Sequence, residues 1–318
     1  MGKFGSTIKE LTKVKFDELN CSKKKLDILS DVYACINKYN ANYNDYKLFE
    51  MYNLNETQRE TIITSGINKQ LIEEFNNIDK ENIYENYLDF YKKYNKFLLR
   101  EWLPINKDNY EEYKQFVDKN PYIIAKKKNN ECIGYKISAK NKRKVFEDLL
   151  ENKYDLIEEK PTQCIELENL NKDNINTIKV ITLNNQIVAA YLNIKDNNND
   201  LIAPINLETG IVDYLAVDNK GNSFERVPST NESILWFNIP KWPRIKRFVL
   251  NLDSSDKKVN YVEWDISLNK DPYLISANTT PNHNMYQLPQ HRTNGIGLLP
   301  RFKKAMEDKN ENSNSNRS

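Results

Sequence analysis

Glu263, Asp265, Ser276 and Asn278 are the residues whose types and spacing point most directly to chemistry. They lie in two short stretches, Tyr261-Val262-Glu263-Trp264-Asp265-Ile266-Ser267-Leu268 and Tyr273-Leu274-Ile275-Ser276-Ala277-Asn278. Both alternate apolar and polar residues, as half-buried strands do. Asn269-Lys270-Asp271-Pro272 between them is turn chemistry, so the pair reads as a hairpin. A connection of that length sets Leu268 opposite Tyr273, Asp265 opposite Ser276 and Glu263 opposite Asn278. Residues i and i+2 share a strand face, and opposed residues approach within about 5 Å at Cβ. One face then gathers two carboxylates, a hydroxyl and an amide oxygen, a donor set that suits a hard cation such as Mg²⁺. A solvated antiparallel face is equally polar, so the pattern alone leaves both readings open.

The elements that must hold this hairpin read as follows. Residues 7–100 are helical, with Leu26, Leu29, Val32, Tyr33 and Ile36 forming an apolar stripe at helical spacing. From about residue 100 the texture becomes mixed. A helix is expected at 110–117, a strand at 122–126 ending in Lys126-Lys127-Lys128, and its hairpin partner at 132–138. A helix at 141–152 and a strand over 154–159, which contains Glu158-Glu159, follow. Residues 176–183 and 186–194 form another hairpin around Asn184-Asn185 and carry Lys179. A loop with Pro204 and Gly210 then leads to a helix at 241–252. Residues 306–318, rich in Asn, Ser and Lys, are expected to be disordered.

At 318 residues the length prior is about two domains. The chain is 29% charged and 39% hydrophobic, which fits a soluble globular protein. It has no apolar run of membrane length and no apolar segment near Met1, so neither a membrane span nor a secretory signal is expected. A net charge of +2 gives no argument for nucleic acid. Cys21, Cys35, Cys132 and Cys164 lie far apart, and only His283 and His291 are histidines, so zinc is not expected. Reduced thiols and a cytoplasmic location are the simplest reading.

Pro281-Asn282-His283-Asn284-Met285-Tyr286-Gln287-Leu288-Pro289 and Gly295-Ile296-Gly297-Leu298-Leu299-Pro300 follow the metal-type hairpin. Together with Trp264-Asp265-Ile266 and Ala203-Pro204-Ile205-Asn206-Leu207-Glu208-Thr209-Gly210, they resemble the sugar-transfer-associated ATP-grasp family, which is related to alpha-L-glutamate ligases. The resemblance runs from about residue 25 to 304 and is strongest after Asn176. It implies an α+β chain with the ATP-grasp fold: two α+β lobes around a nucleotide cleft, after a helical N-terminal region. The corresponding division is 1–100 helical region, 101–160 small lobe with flap and hinge, 161–305 large lobe with the metal-type hairpin, and 306–318 tail.

The resemblance also assigns roles. Lys126 stands at the phosphate-contacting lysine and Gly134 is the one glycine left of the flap Asn129-Asn130-Glu131-Cys132-Ile133-Gly134-Tyr135, in which Glu131 adds a negative charge. Glu158 and Glu159 stand at the adenine and ribose hinge. Lys179, in Asn176-Thr177-Ile178-Lys179, replaces an arginine, keeping the charge but losing the bidentate fork. Asp265 and Asn278 match metal ligands, while Ser276 stands where the family carries a bridging glutamate. Glu263, commonly glycine in the family, offers a carboxylate from the facing strand. His283 matches a family histidine and suits a base or substrate contact. Arg292 and Arg301 beyond it could meet an acidic substrate.

The implied cofactors are ATP and Mg²⁺, and the implied activity is an ATP-dependent carboxylate–amine ligase working through an acyl phosphate. The implied setting is bacterial surface polysaccharide synthesis, with a sugar acid or amino acid as further ligand. The altered flap, bridging position and arginine point to a degenerate ATP site. The alternative is therefore a catalytically impaired pseudoenzyme serving as a nucleotide-, sugar- or protein-binding scaffold. Oligomeric state is not legible.

Overall fold

The computed structural model describes residues 3–77, 83–127, 131–197, 199–256 and 258–315. Helices come first: α1 (Lys3–Leu11), α2 (Lys25–Tyr39), α3 (Tyr43–Leu48), α4 (Glu56–Arg59), α5 (Ser65–Phe75) and α6 (Tyr87–Leu98). The stripe of α2 that enters the core is Ile28, Val32, Cys35 and Tyr39, not the expected one. Leu26 and Tyr33 are exposed. Two overlapping stripes share Val32, and the aromatic partners Tyr43, Tyr46 and Phe49 select the one centred on Cys35.

Next come β1 (Trp102–Pro104), α7 (Tyr110–Lys119), β2 (Tyr122–Lys127), β3 (Glu131–Lys136), α8 (Lys142–Glu151) and β4 (Leu156–Glu159). Their strands form an antiparallel sheet in the order β1-β4-β2-β3. Tyr113 and Val117 of α7 and Phe146 and Leu149 of α8 cover one face, against Ile123, Ala125 and Ile157.

After α9 (Ile165–Leu170) come β5 (Thr177–Leu183), β6 (Gln186–Asp196), β7 (Asn199–Pro204), β8 (Ala216–Val217), β9 (Ser223–Phe224), α10 (Trp242–Asp253), β10 (Tyr261–Leu268), β11 (Pro272–Asn278) and α11 (Leu299–Ser315). The second sheet runs β11-β10-β5-β6-β7-β8-β9. Asn184 and Asn185 both take positive φ (51° and 61°), the requirement of the tight two-residue turn that joins β5 to β6.

This sheet is covered on both faces, so nearly every residue of β5 and β10 is buried, the polar positions of β10 included. On one face Val180, Leu192, Trp264 and Ile266 meet Phe90 and Tyr94 of α6 and Trp242, Ile245 and Val249 of α10. On the other, Ile181, Leu183 and Tyr261 meet Leu71 and Phe75 of α5 and Phe302 of α11. Asn76, just past α5, ties the helical region to the sheet. Its Nδ2 donates to Tyr261 O and Thr279 O, and its Oδ1 accepts from the backbone of Asn260 and Tyr261.

The metal-type hairpin departs from the expected count at its turn. Leu268 pairs with Pro272 and Ser267 with Tyr273, so the turn is one residue shorter. A bulge beside Asp265 and Ile266 leaves Ile275 without a partner and restores the register, so that Asp265 pairs with Ser276 and Glu263 with Asn278 as counted. The helical backbone of α11 continues through 306–315, where the sequence suggests disorder. A helix closes its own hydrogen bonds without needing a core. Residues 316–318 of the expected tail lie outside the described residues.

Candidate functional site

Cross-strand pairing fixes a polar row on the large sheet. Ser276 lies opposite Asp265, Asp265 opposite Lys179, Lys179 opposite Tyr191, and Tyr191 opposite Pro204. Side chains opposed in this way share a face. Lys179 Nζ lies 3.2 Å from Glu263 Oε1 and 3.5 Å from Asp265 Oδ2. Glu263 is buried, and its Oε2 accepts from Tyr191 Oη at 2.9 Å. Ser276 Oγ donates to Asp265 Oδ2 at 3.3 Å. Asp265 Oδ1 is buried and has no hydrogen-bond partner. Burial alone would lower the Lys179 pKa, but Asp265 and Glu263 hold it above its ordinary value, so the ammonium stays charged. It stands between the two carboxylates in the manner of a cation.

A second charged cluster lies in the small sheet. Lys126 Nζ forms an ion pair with Glu158 Oε1 at 2.9 Å and donates to Tyr91 Oη at 2.8 Å. Arg100 Nε and Tyr91 Oη both donate to Glu158 Oε2. All of these side chains are buried. Burial would push the Glu158 carboxyl up, but Lys126 and Arg100 hold it below its ordinary value. Burial would likewise lower Lys126, but Glu158 and Tyr91 hold it raised. Arg100 also joins the two sheets, since its Nη1 donates to Leu274 O at 2.6 Å, beside the bulge of β11. The positions of both clusters are therefore linked through one strand.

The remaining sequence candidates lie elsewhere. Gly134 sits within β3 opposite Ile124, where an added Cβ would make only an ordinary 3.6 Å contact, so nothing there requires glycine. Glu131 pairs with Lys127 across the same hairpin. Flap residues Asn129 and Asn130 lie outside the described residues. Glu159 is half-buried at the end of β4. Asn278 keeps its place opposite Glu263, but its side chain caps its own turn: Oδ1 accepts from Thr280 N and Oγ1, and Nδ2 donates to Thr280 O. His283 is buried against α3, with Nε2 3.2 Å from Asp45 Oδ1 and its ring beside Phe49. Arg292 is buried too, and its Nη2 donates to Phe49 O.

The structure thus brings Lys179, Glu263 and Asp265 together in one cluster and Lys126 and Glu158 in another, and it leaves the side chains of Asn278 and His283 outside both. Among the described residues, no group of three His, Cys, Asp or Glu side chains could hold a metal ion. A cation held by Asp265 and Glu263 would therefore take its remaining ligands from neutral oxygens or water, as Mg²⁺ does readily. The unpartnered Oδ1 of Asp265 fits such an ion.

Sequence reading missed Tyr91, Arg100 and Tyr191. Counting back from the Asn184-Asn185 turn sets Ala190 opposite Lys179, but a bulge between Ile181 and Thr182 moves Tyr191 there. No local signal marked Arg100. It follows Leu99, whose left-handed backbone (φ 51°) ends α6.

The family described as sugar-transfer associated ATP-grasp matches residues 141–307. That span includes Lys179 and the metal-type hairpin and excludes Lys126 and Gly134. No curated protein matches the chain. Among solved structures, ATP-grasp ligase PsnB complexed with precursor peptide PsnA2 and AMPPNP is 11% identical with a TM-score of 0.44, over 71% of this chain and 59% of that one. The chain therefore spans under two thirds of that ligase. D-alanine--D-alanine ligase from Bacillus anthracis is 12% identical with a TM-score of 0.40, over 80% of this chain and 69% of that one. Macrocyclase MdnC bound with precursor peptide MdnA, from Microcystis aeruginosa MRC, is 10% identical with a TM-score of 0.40, over 80% and 74%.

Proposed function

Because the chain belongs to the sugar-transfer associated ATP-grasp family, and so has the ATP-grasp fold after a helical N-terminal region, we propose that it binds Mg·ATP and joins a carboxylate to an amine through an acyl phosphate. The setting proposed with this activity is bacterial surface polysaccharide synthesis. The observation that carries the reading is Asp265 Oδ1, a buried carboxylate oxygen with no hydrogen-bond partner beside a charged lysine. A buried acceptor is normally satisfied, and an unfilled one at a cluster of acids points to a cation.

Asp265 and Glu263 would hold the metal, which when bound offsets phosphate charge. A carboxylate oxygen would bond the γ-phosphorus of ATP while the bond to the β-phosphate oxygen breaks and ADP leaves with the electron pair, giving the acyl phosphate. Lys179, a charged ammonium beside both carboxylates, would offer its charge to phosphate oxygens. Lys126 offers a second point charge, held in place by Glu158 and Tyr91. The Arg100 link to Leu274 O holds these two lysines in a fixed relation. In the ligation step the amine nitrogen bonds the acyl carbon, the carbon–oxygen bond to phosphate breaks, and phosphate leaves with the electron pair while the nitrogen sheds a proton.

One observation favours the scaffold reading. Ser276, a neutral donor to Asp265, fills the place opposite it where a further carboxylate would bring charge. The two readings separate in a trapping assay with Mg·ATP, hydroxylamine and sugar acids such as glucuronate and galacturonate. The ligase gives carboxylate-dependent ADP and hydroxamate, both lost in Lys179→Met. Mg·ATP binding with neither product, for every acid tried, would replace the ligase by the scaffold.

A further inference from the structure

A cavity of about 610 Å³ opens on the large lobe, outside both charged clusters, and Pro204, Tyr286, Glu208, Asp213, His291 and Arg301 are among the residues that line it. Its position relative to Lys179 follows from the sheet. Pro204 lies opposite Tyr191, and Tyr191 opposite Lys179. Neighbouring strands are about 4.8 Å apart, so the cavity wall begins roughly 10 Å from Lys179 on the same sheet face. Its volume is in the range of small-molecule sites.

The charges of the wall are uneven. Arg301 Nη1 donates to Val188 O at 3.2 Å, and among the described residues no carboxylate lies within ion-pair distance of its guanidinium. Burial holds the Arg301 pKa below its ordinary value, with Glu208 and Tyr214 pulling it back, as expected of a guanidinium set into a recess. The start of α11 is not itself the anion-binding feature, because Thr61 takes the N–H groups of Gly297 and Leu299. On the acidic side, Asn206 Nδ2 donates to Asp213 Oδ2 at 3.1 Å, and Glu208 is exposed. Neither acid forms an ion pair among the described residues. His291 adds no charge, since burial pushes its pKa down to about 4. Its Nε2 faces Leu215 O.

A wall that carries one cation and two carboxylates discriminates among ligands. A phosphorylated or dicarboxylate ligand would meet a wall of net negative charge. A simple amine would leave Arg301 unpaired, and a simple carboxylate would leave both acids unpaired. A molecule carrying one carboxylate and one ammonium satisfies both ends. We propose that this cavity binds a small zwitterion, an amino acid or amino-acid-like group, with its carboxylate on Arg301 and its ammonium on Asp213 and Glu208. The proposal rests on the ligase reading for its purpose, since such a molecule would be the amine substrate, but its binding is a separate property.

The test is calorimetric titration of the full chain, with and without Mg·ATP, using the common L-amino acids, D-alanine and D-glutamate. Propionate and propylamine serve as single-charge controls. At least one amino acid should bind saturably in the micromolar to millimolar range, with both controls at least about tenfold weaker. Arg301→Met should weaken that amino acid about tenfold or more, Arg301→Lys should restore part of the loss, and Asp213→Asn should weaken it while sparing propionate. Circular dichroism on each variant checks that the fold is kept. No saturable binding to the folded wild type under either condition would overturn the proposal, as would propionate matching the amino acid or Arg301→Met leaving affinity unchanged. Heat from Mg·ATP alone reads the nucleotide site separately. Amino-acid binding that depends on Arg301, without Mg·ATP binding, would sink the ligase reading and leave this one standing.

Discussion

At the scale of single residues, the account turns on Lys179 acting as a resident counter-cation. Its ammonium holds apart two carboxylates that would otherwise face each other in a buried setting. Lys179→Met should therefore destabilise the fold by about 1–3 kcal/mol, less than a fully buried pair because part of the lysine reaches solvent. Millimolar Mg²⁺ should then raise the melting temperature of the variant more than that of the wild type, by replacing the missing charge. Equal Mg²⁺ responses would mean that Asp265 and Glu263 do not share a cation site. The placement of Glu263, Asp265 and Ser276 on one face was legible in the sequence because apolar and polar residues alternate around them. What was not legible is where flexible side chains turn. Asn278 has the right register but hydrogen-bonds Thr280, and His283 has a suggestive identity but meets Asp45 across a long stretch of chain.

At the scale of elements, both site hairpins carry a one-residue irregularity, and each affects register differently. In β10–β11 the bulge at Ile275 cancels the shorter turn, so a count from the sequence reaches the right partners for a reason the sequence does not show. In β5–β6 the bulge puts Tyr191 instead of Ala190 against Lys179, and the count fails. Bulges are set by twist and packing across the sheet, which local alternation does not encode. The far face of the same strands is pinned by α10. Asp253 Oδ1 accepts from Thr182 Oγ1 at 2.6 Å, and Thr182 Oγ1 accepts from Trp264 Nε1 at 3.0 Å. Burial raises the Asp253 carboxyl from 3.8 to about 6. Between those values the folded protein holds a proton that the unfolded chain releases. Stability is thus fully supported below about pH 4 and declines as pH rises through about 6, by about 3 kcal/mol from this group. Urea unfolding across that range should show the decline in the wild type and its removal in Asp253→Asn. An identical pH slope in both proteins would assign the effect elsewhere.

At the scale of the whole molecule, the apolar packing that joins the helical region and the large sheet is supplemented by a few polar contacts between parts far apart in sequence. Asn76 fastens α5 to β10 and the segment after β11, and Gln287 exchanges hydrogen bonds with the backbone of Ile63. Arg100 spans from Glu158 to Leu274 O. The change from helices to mixed helix and strand near residue 100 was readable from periodicity. These tethers were not, because each joins single residues far apart in sequence. Lys126 stands on one sheet and Lys179 with Asp265 on the other, and the proposed function sets Mg·ATP between the two. The most direct test of that claim is calorimetric titration of ATP, with Mg²⁺ and with chelator, into the wild type and Asp265→Ala. The account predicts micromolar binding that requires Mg²⁺ and is lost in the variant. No heat at millimolar ATP, or binding indifferent to both Mg²⁺ and Asp265, would contradict it.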